Sequence, residues 1–467
     1  MSLNIPLDRQ TNAAMNAQKD ASRAAGKFKM DKAIQYDGAK TEFQGYEHLH
    51  IGDTRVLALY HEGAPVNQLT SGQEGIVILD QTPFYAESGG QVGDAGILSN
   101  SSAKLIVYDT TKVLPDVFGH HVRVENSQFK VGDLLNAQVD GARRAATVRN
   151  HSAAHLMHSA LRRVLGEHVQ QKGSLVASEI LRFDFANDQP VSFEQLQEIE
   201  RIVNREVIAN TAISTELLDI DAAKEKGAMM LFGEKYGDEV RVLSMGSVSE
   251  DKNFSIELCG GIHVKRTGDI GLFKITSEGG VAAGVRRIEA ITGTKAIEAT
   301  QKTDRDIQSI NDLLKAQKDQ TLEKVESLAS TASSLQKQIE QLNQKLANFQ
   351  ATELLSQVQT IAGRSTLITT VQNTDAKSLR NLHDGVKSKL DNAVIVMAGV
   401  DGDKVSLISS VAKEFTASIK AGDIIKHLGQ ELGGKGGGKP DLAQGGAPLN
   451  EKLEPVMASL VAWLEAK

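Results

Sequence analysis

Two short segments, far apart in the chain, carry residue types that can hold a metal ion. In "RNHSAAHLMHSALRRVLG", residues 149–166, histidines stand at 151, 155 and 158. Residues four apart share a helix face, so His151 and His155 would present two imidazoles to one ion. The sole cysteine, Cys259, lies in "ELCGGIHV". Phe254, Ile256 and Leu258 alternate ahead of it, so a strand is expected to deliver Cys259 to its own end. Gly260 and Gly261 are then expected to allow a tight bend that returns His263 beside it. Three imidazoles and one thiolate suit zinc, a borderline-soft ion without redox chemistry of its own. His158 is expected to be an orienting neighbour or a satisfied surface histidine. The metalloprotease form of the helical motif carries Glu directly after its first His, as general base. Here that position is Ser152, which disfavours a zinc protease. Four protein ligands close a structural zinc site, whereas a catalytic one keeps a position open. The residues leave both readings standing.

Positioning these side chains requires several elements. Residues 36–140 lack helical period and show short alternating runs ("GIVILDQTPFYAESGGQVGDAGIL", "AKLIVYDTTKV", "HHVRVEN"), which predicts a small β-barrel. Its glycines 89, 90 and 93 are either turn residues or shape a binding site. Residues 141–293 read as an α+β domain. A helix is predicted over 150–165, with Leu156, Leu161 and Leu165 apolar. A second runs through "SFEQLQEIERIVNREVIAN", with Ser192 as N-cap, and strands follow in "EVRVLSMG", "NFSIELCGG" and "GLFKITSEGGV". Residues 294–355 are helical: Leu335, Ile339, Leu342, Leu346 and Phe349 step by four and three, as a helical hairpin or a dimeric coiled coil would require. Residues 356–467 form an α/β globular domain with a glycine loop, "GGKGGGKPDLAQGG". Residues 10–27 read as an Ala-rich helix without a partner face, the tail of something upstream. The fold class is therefore α+β and multidomain.

Bulk properties narrow the setting. The chain has 467 residues, too many for one ordinary core, and a formal net charge of -7. Such a balance demands no nucleic acid, so any RNA grip must come from local basic patches. Arg143, Arg144 and Arg149 precede the metal histidines, Arg162 and Arg163 follow them, and Arg286 and Arg287 are adjacent. These are either phosphate contacts or solvated basic faces. A single cysteine excludes an intrachain disulfide framework and fits a cytoplasmic setting. No apolar run is long enough to span a membrane. The glycine loop lacks the Gly-Lys-Ser/Thr ending of a P-loop, and no Asp-His-His segment of a related phosphoesterase occurs.

With "HSAAH" and "CGGIH" preceded by "DQTPFYAESGGQVGD" and followed by "RRIEAITG", the chain closely resembles the editing half of bacterial alanyl-tRNA synthetase. "HVQQKGSL" stands where that family has a Gln-x-Gly-Ser segment, and "GGKGGGKPDLAQGG" resembles its carboxy-terminal glycine loop. The resemblance covers nearly the whole chain from about residue 10. It implies a remnant of the upstream tRNA-recognition region in residues 1–35 and lacks the aminoacylation domain, where the full enzyme would use ATP and Mg2+. It implies one zinc ion on His151, His155, Cys259 and His263, with Gln171 beside it positioning water or substrate. Thr82, Gly89 and Gly90 are expected in the far wall. Arg143, Arg144, Arg149, Arg286, Arg287, Lys435 and Lys439 are expected to contact RNA. The implied activity is hydrolysis of tRNA(Ala) mischarged with serine or glycine, because a pocket shaped for alanine excludes neither well. A homodimer through the helical and carboxy-terminal segments is a further expectation. The competing reading is a non-catalytic tRNA-binding and dimerisation module with a structural zinc.

Overall fold

The computed structural model describes residues 34–230, 237–247 and 253–467, so the expected helix at 10–27 lies outside the described residues. The chain divides into two compact units, one ending at Asp306 and one beginning at Ile307.

In the first unit, six strands close into a barrel: β1 (His50–His61), β2 (Glu74–Leu79), β3 (Gly96–Ser99), β4 (Lys104–Leu114), β5 (Val117–Asn126) and β6 (Leu134–Val139). Their order is β1-β2-β5-β4-β3-β6, with β6 pairing back onto β1 and every pair antiparallel. Alternation decides which side chains fill the interior. In β6, Leu135, Ala137 and Val139 point in and their neighbours point out. They meet Leu59, Val77, Leu79, Leu98, Leu105 and Val122 in one apolar core. Closure leaves these strands no open edge.

Helix α1 (Gly141–Leu165) follows directly, capped by the Asp140 carboxylate on the Arg143 N–H. It begins earlier than the 150–165 read from periodicity. Its first two turns, "GARRAATVR", carry no apolar stripe but are rich in good helix formers. Nor is it a simple amphipathic helix. From Asn150 to Leu161 every residue is buried, because Ser152, Ala153, Ala154, Ser159 and Ala160 let neighbours approach on all sides. One neighbour is the antiparallel sheet β7 (Gln171–Val176), β8 (Leu181–Ala186), β13 (Val285–Thr292) and β12 (Phe273–Ala282), in that spatial order. Another is α2 (Phe193–Ala209), which starts in a capping box between Ser192 and Gln195. Ile199 and Val203 of α2 share a core with Leu156, Leu161, Phe183 and Phe185. A smaller antiparallel sheet, β9 (Ser214–Asp219), β10 (Glu239–Met245) and β11 (Ser255–Leu258), ends immediately before Cys259.

Helix α3 (Gly293–Leu314) runs across the division between the units. In the second unit, α4 (Thr321–Leu354) buries only Ala347, Ala351 and Leu354 among its own residues. Its seam is exposed: Leu335 52%, Ile339 51%, Leu342 62%, Leu346 56% and Phe349 72%. Among the described residues nothing buries this seam. Beyond α4 lies a six-stranded mixed sheet made of β14 (Gln359–Ile361), β15 (Arg364–Gln372), β16 (Ala393–Asp401), β17 (Lys404–Val411), β18 (Lys435–Gly438) and β19 (Leu442–Pro448), in the order β14-β15-β16-β17-β19-β18. Only β15 and β16 are parallel, joined by α5 (Ala376–Lys387). Helices α6 (Ala421–Leu432) and α7 (Leu453–Glu465) supply Ile424, Leu428, Val456 and Leu460 to its core. The expected glycine loop is thus a strand. β18 pairs with β19 at the sheet edge, and Ile425 of α6 occupies the space a side chain on Gly436 would need.

Candidate metal centre

The two segments singled out by their spacing meet. His151 and His155 project from the middle of α1, and Cys259 and His263 come from the loop after β11. Their ligand atoms all lie within 4.8 Å of one another. The Cys259 Sγ is 3.5 Å from His151 Nε2 and 3.3 Å from His263 Nε2. The glycines between Cys259 and His263 are not there for a left-handed turn, since neither has positive φ. Gly261 is required by packing, because a side chain there would sit 2.1 Å from His151 Cε1.

Each imidazole is held at its other nitrogen, and the partners fix the tautomers. His151 Nδ1 lies 2.8 Å from Gln91 Oε1, an oxygen that also accepts the Ile262 N–H. His155 Nδ1 lies 2.6 Å from a carboxylate oxygen of Glu257. Both acceptors lack a proton, so both Nδ1 atoms donate. Ser152 settles the third. Its hydroxyl donates to the Val148 carbonyl and accepts the Val264 N–H. Its remaining lone pair accepts from His263 Nδ1 at 3.2 Å. With a metal bound, all three Nε2 atoms would therefore be free to act as ligands. That of His155 is buried with no hydrogen-bond partner among the described residues. This is how metal-binding histidines are oriented by their outer partners. Where a protease has its general base, this chain has a serine whose every hydrogen-bonding position is used.

His158 is buried rather than at the surface. It donates from Nδ1 to the other Glu257 oxygen at 3.2 Å and packs on the Phe183 ring. Glu257 thus joins two histidines, a role that sequence reading missed. Its place two residues before Cys259 on an alternating strand was the available signal.

The electrostatics suit a cation. Burial works against the Cys259 thiolate, but the three imidazoles outweigh it and hold the thiol well below its ordinary value. Burial also opposes protonation of His155, yet Glu257 and Cys259 carry it up to about 10. Burial pushes His263 down to about 3. Two buried negative groups, Cys259 and Glu257, both act on the His155 ring and hold a proton on it. The donor set fits a borderline divalent ion.

The cluster opens on a cavity of about 520 Å³ lined by His151, His155, Cys259, Gln171, Ser174 and Gly89, among others. Gln171, first residue of β7, is partly exposed, and its side-chain amide makes no hydrogen bond to the described residues. Gly90 lies just behind this wall at φ +85°, where a side chain would strike Ser174. Thr82 does not reach the cavity, contrary to expectation. It is wholly buried in the barrel, donating to His120 Nε2 at 2.7 Å and accepting the Phe84 N–H.

The expected RNA contacts divide. Arg144 is no phosphate ligand: it is 5% exposed, forks onto Asp94, and donates to the carbonyls of Gly45 and Pro83. It bolts α1 to the barrel. Arg286 and Arg287 are engaged in two-pronged pairs with Glu278 and Asp184 across the sheet. The Arg149 Nε is buried beside Gly293. Arg143 is partly exposed and makes no ion pair among the described residues. In the second unit, Lys435 and Lys439 are exposed, on β18 and at the turn after it.

Comparison with known proteins accounts for most of the chain. A family model described as tRNA synthetases class II (A) matches residues 3–143, where sequence reading found nothing of a class II domain. One described as the threonyl and alanyl tRNA synthetase second additional domain matches residues 240–289, which include Cys259 and His263. The DHHA1 domain matches residues 363–466. His151, His155 and Gln171 fall outside all three matches. The alanine–tRNA ligase of Paraburkholderia phymatum is 50% identical over 454 residues, 97% of this chain and 51% of that protein. The ligase of Burkholderia mallei is 49% identical over the same shares. Among solved structures, the C-Ala domain of Aquifex aeolicus alanyl-tRNA synthetase is 28% identical over 23% of this chain and 97% of its own, with a TM-score of 0.22. No helix among the described residues is long and apolar enough to cross a membrane. The chain spans about half the length of the curated relatives it matches, and over that length it is similar to the alanyl-tRNA synthetases.

Proposed function

We propose that the chain hydrolyses the ester of tRNA(Ala) mischarged with serine or glycine, with one zinc ion held by His151, His155, Cys259 and His263. The observation that carries this reading is the four-donor cluster, of which His151, His155 and Cys259 line a cavity whose wall includes Gln171. In the reaction, water adds to the ester carbonyl, the bond to the ribose oxygen breaks, and that oxygen takes up a proton. A bound zinc would supply a Lewis acid and an anchor for the amino acid. Gln171, on the cavity wall, would accept a hydrogen bond from the water at its amide oxygen while its NH2 donates to the substrate. Ser152 and Glu257 are spent on orienting His263 and His155, so neither serves as a base. Lys112, on the barrel side of the cavity, supplies positive charge for the terminal phosphates of the RNA.

The second reading, a tRNA-binding module with structural zinc, is favoured by the closed count of four protein donors. Rates on seryl-, glycyl- and alanyl-tRNA(Ala), measured with zinc content, decide between them. Hydrolysis of the first two and sparing of the third supports editing. Bound zinc with no hydrolysis of any leaves the module. The second unit is read as a grip on tRNA through Lys435 and Lys439, and the exposed α4 seam as a surface for a second copy. Light scattering on the intact chain reports the latter as a doubled mass.

A further inference from the structure

The residues that hold the metal come from α1 and from the loop after β11, and besides the Ser152 bonds a further tie between them comes from neither. Gln91 belongs to the barrel segment between β2 and β3. It is 0% exposed, and its backbone is locked by paired hydrogen bonds with Ser88. The flanking residues pair with β7, through Val176 N–H to the Gly90 carbonyl and Val92 N–H to the Val176 carbonyl. From this fixed base a single atom, Oε1, accepts from His151 Nδ1 at 2.8 Å and from the Ile262 N–H at 3.1 Å. His151 is a ligand on the helix. Ile262 stands between the two ligands on the loop. The amide's other end, Nε2, is buried without a partner among the described residues. The side chain therefore holds its oxygen in place although its donor goes unanswered.

We infer that Gln91 is a positioning residue of the metal centre, setting the register between the His-x-x-x-His helix and the Cys-x-x-x-His loop, so that the barrel is a working part of that centre. This rests on the reading of the cluster as a metal site. The Gly261 position agrees with it: a side chain there would crowd both the His151 ring and, at 3.2 Å, Gln91 Oε1.

Zinc affinity of the intact chain, measured by chelator competition, tests the inference, with Gln91→Leu and Gln91→Glu as variants. Gln91→Leu removes the acceptor and should weaken binding by roughly 10- to 100-fold, the range for loss of an outer partner. Gln91→Glu keeps an oxygen in position, replaces the orphaned donor, and should bind within about threefold of the unaltered chain. Cobalt(II) in place of zinc should show altered ligand-field bands in Gln91→Leu and unaltered ones in Gln91→Glu. Equal affinity in Gln91→Leu would overturn the inference, as would a loss in Gln91→Glu as large as in Gln91→Leu. If Gln91→Leu does not fold, the Gln91→Glu result alone decides in the same sense. Failure of the unaltered chain to bind zinc would remove the metal reading itself, a result distinct from failure of the coupling.

Discussion

The metal cluster and the glycine strand of the second unit are built on opposite plans. Around the cluster nearly every polar group is committed: Ser152 has no hydrogen-bonding capacity left, Glu257 serves two histidines, and Arg144 is spent on Asp94 and two carbonyls. Along β18 the backbone pairs with β19, but Lys435, Gly436, Gly437 and Gly438 are all exposed at a sheet edge. A closed arrangement fixes geometry, as bond-breaking chemistry requires. An open, cationic one suits a partner recognised by charge. Proximity to the metal cluster is therefore a poor guide to which cations are free. Arg144, Arg286 and Arg287 are paired, while Lys435 and Lys439 of the second unit are exposed.

The contrast breaks most visibly at Cys259. Cys259→Ala should lower zinc affinity by more than the roughly 100-fold that bounds an outer-partner change, and abolish hydrolysis of seryl-tRNA(Ala). Full zinc content and full rate would remove the cluster from the chemistry. Next comes Arg144. Breaking a buried pair leaves Asp94 uncompensated, so Arg144→Met should cost about 3–5 kcal/mol of stability, read from denaturant unfolding of the barrel and α1. Its effect on the salt dependence of tRNA binding should be nil. A phosphate ligand would give the reverse: unchanged stability and a shallower slope.

Much of this was legible in the sequence, for identifiable reasons. The period-two runs of the barrel, the Ser192 cap and the alternation before Cys259 are local patterns, and each sits where the pattern points. The convergence of His151 with Cys259 was inferable from chemistry, because the only thiol stands four residues from a histidine. Commitments made at long range were not. That Arg144 would be consumed by Asp94, or Thr82 by His120, depends on the packing of α1 and the closure of the barrel. The glycine strand misled in another way. Its glycines read as a loop, whereas the fold makes them a strand and uses Gly436 for close approach of α6.

A smaller effect sharpens the closed side of the comparison. Without metal, His155 is protonated up to about pH 10, since Glu257 and the Cys259 thiolate outweigh its burial. The surrounding imidazoles hold the Cys259 thiol well below its ordinary value, toward the thiolate. Metal binding must then expel one proton, from His155 Nε2. The sign follows: raising the pH removes the competing proton, so affinity should climb about tenfold per unit across pH 6–9. Glu257→Gln removes the charge that holds the proton and should flatten the climb. A pH-independent affinity in the unaltered chain would mean that His155 carries no proton for the metal to displace.

The smallest effect tests the open side. If β18 meets phosphates through Lys435 and Lys439, each Lys→Ala change should weaken tRNA binding similarly for any tRNA sequence. Each should also reduce the slope of log affinity against log salt by about 1. Stability should not change, since both side chains are exposed. The same measurement on Arg143→Ala separates the two regions. A loss of slope at Arg143 equal to that at Lys435 would mean that the first turn of α1 also faces RNA. A loss at Lys435 alone would leave charge recognition to the second unit and geometry to the first. The rates sharpen this further: the lysine variants should raise the tRNA concentration needed for half-maximal hydrolysis and leave the saturated rate intact, because nothing in the cluster depends on them.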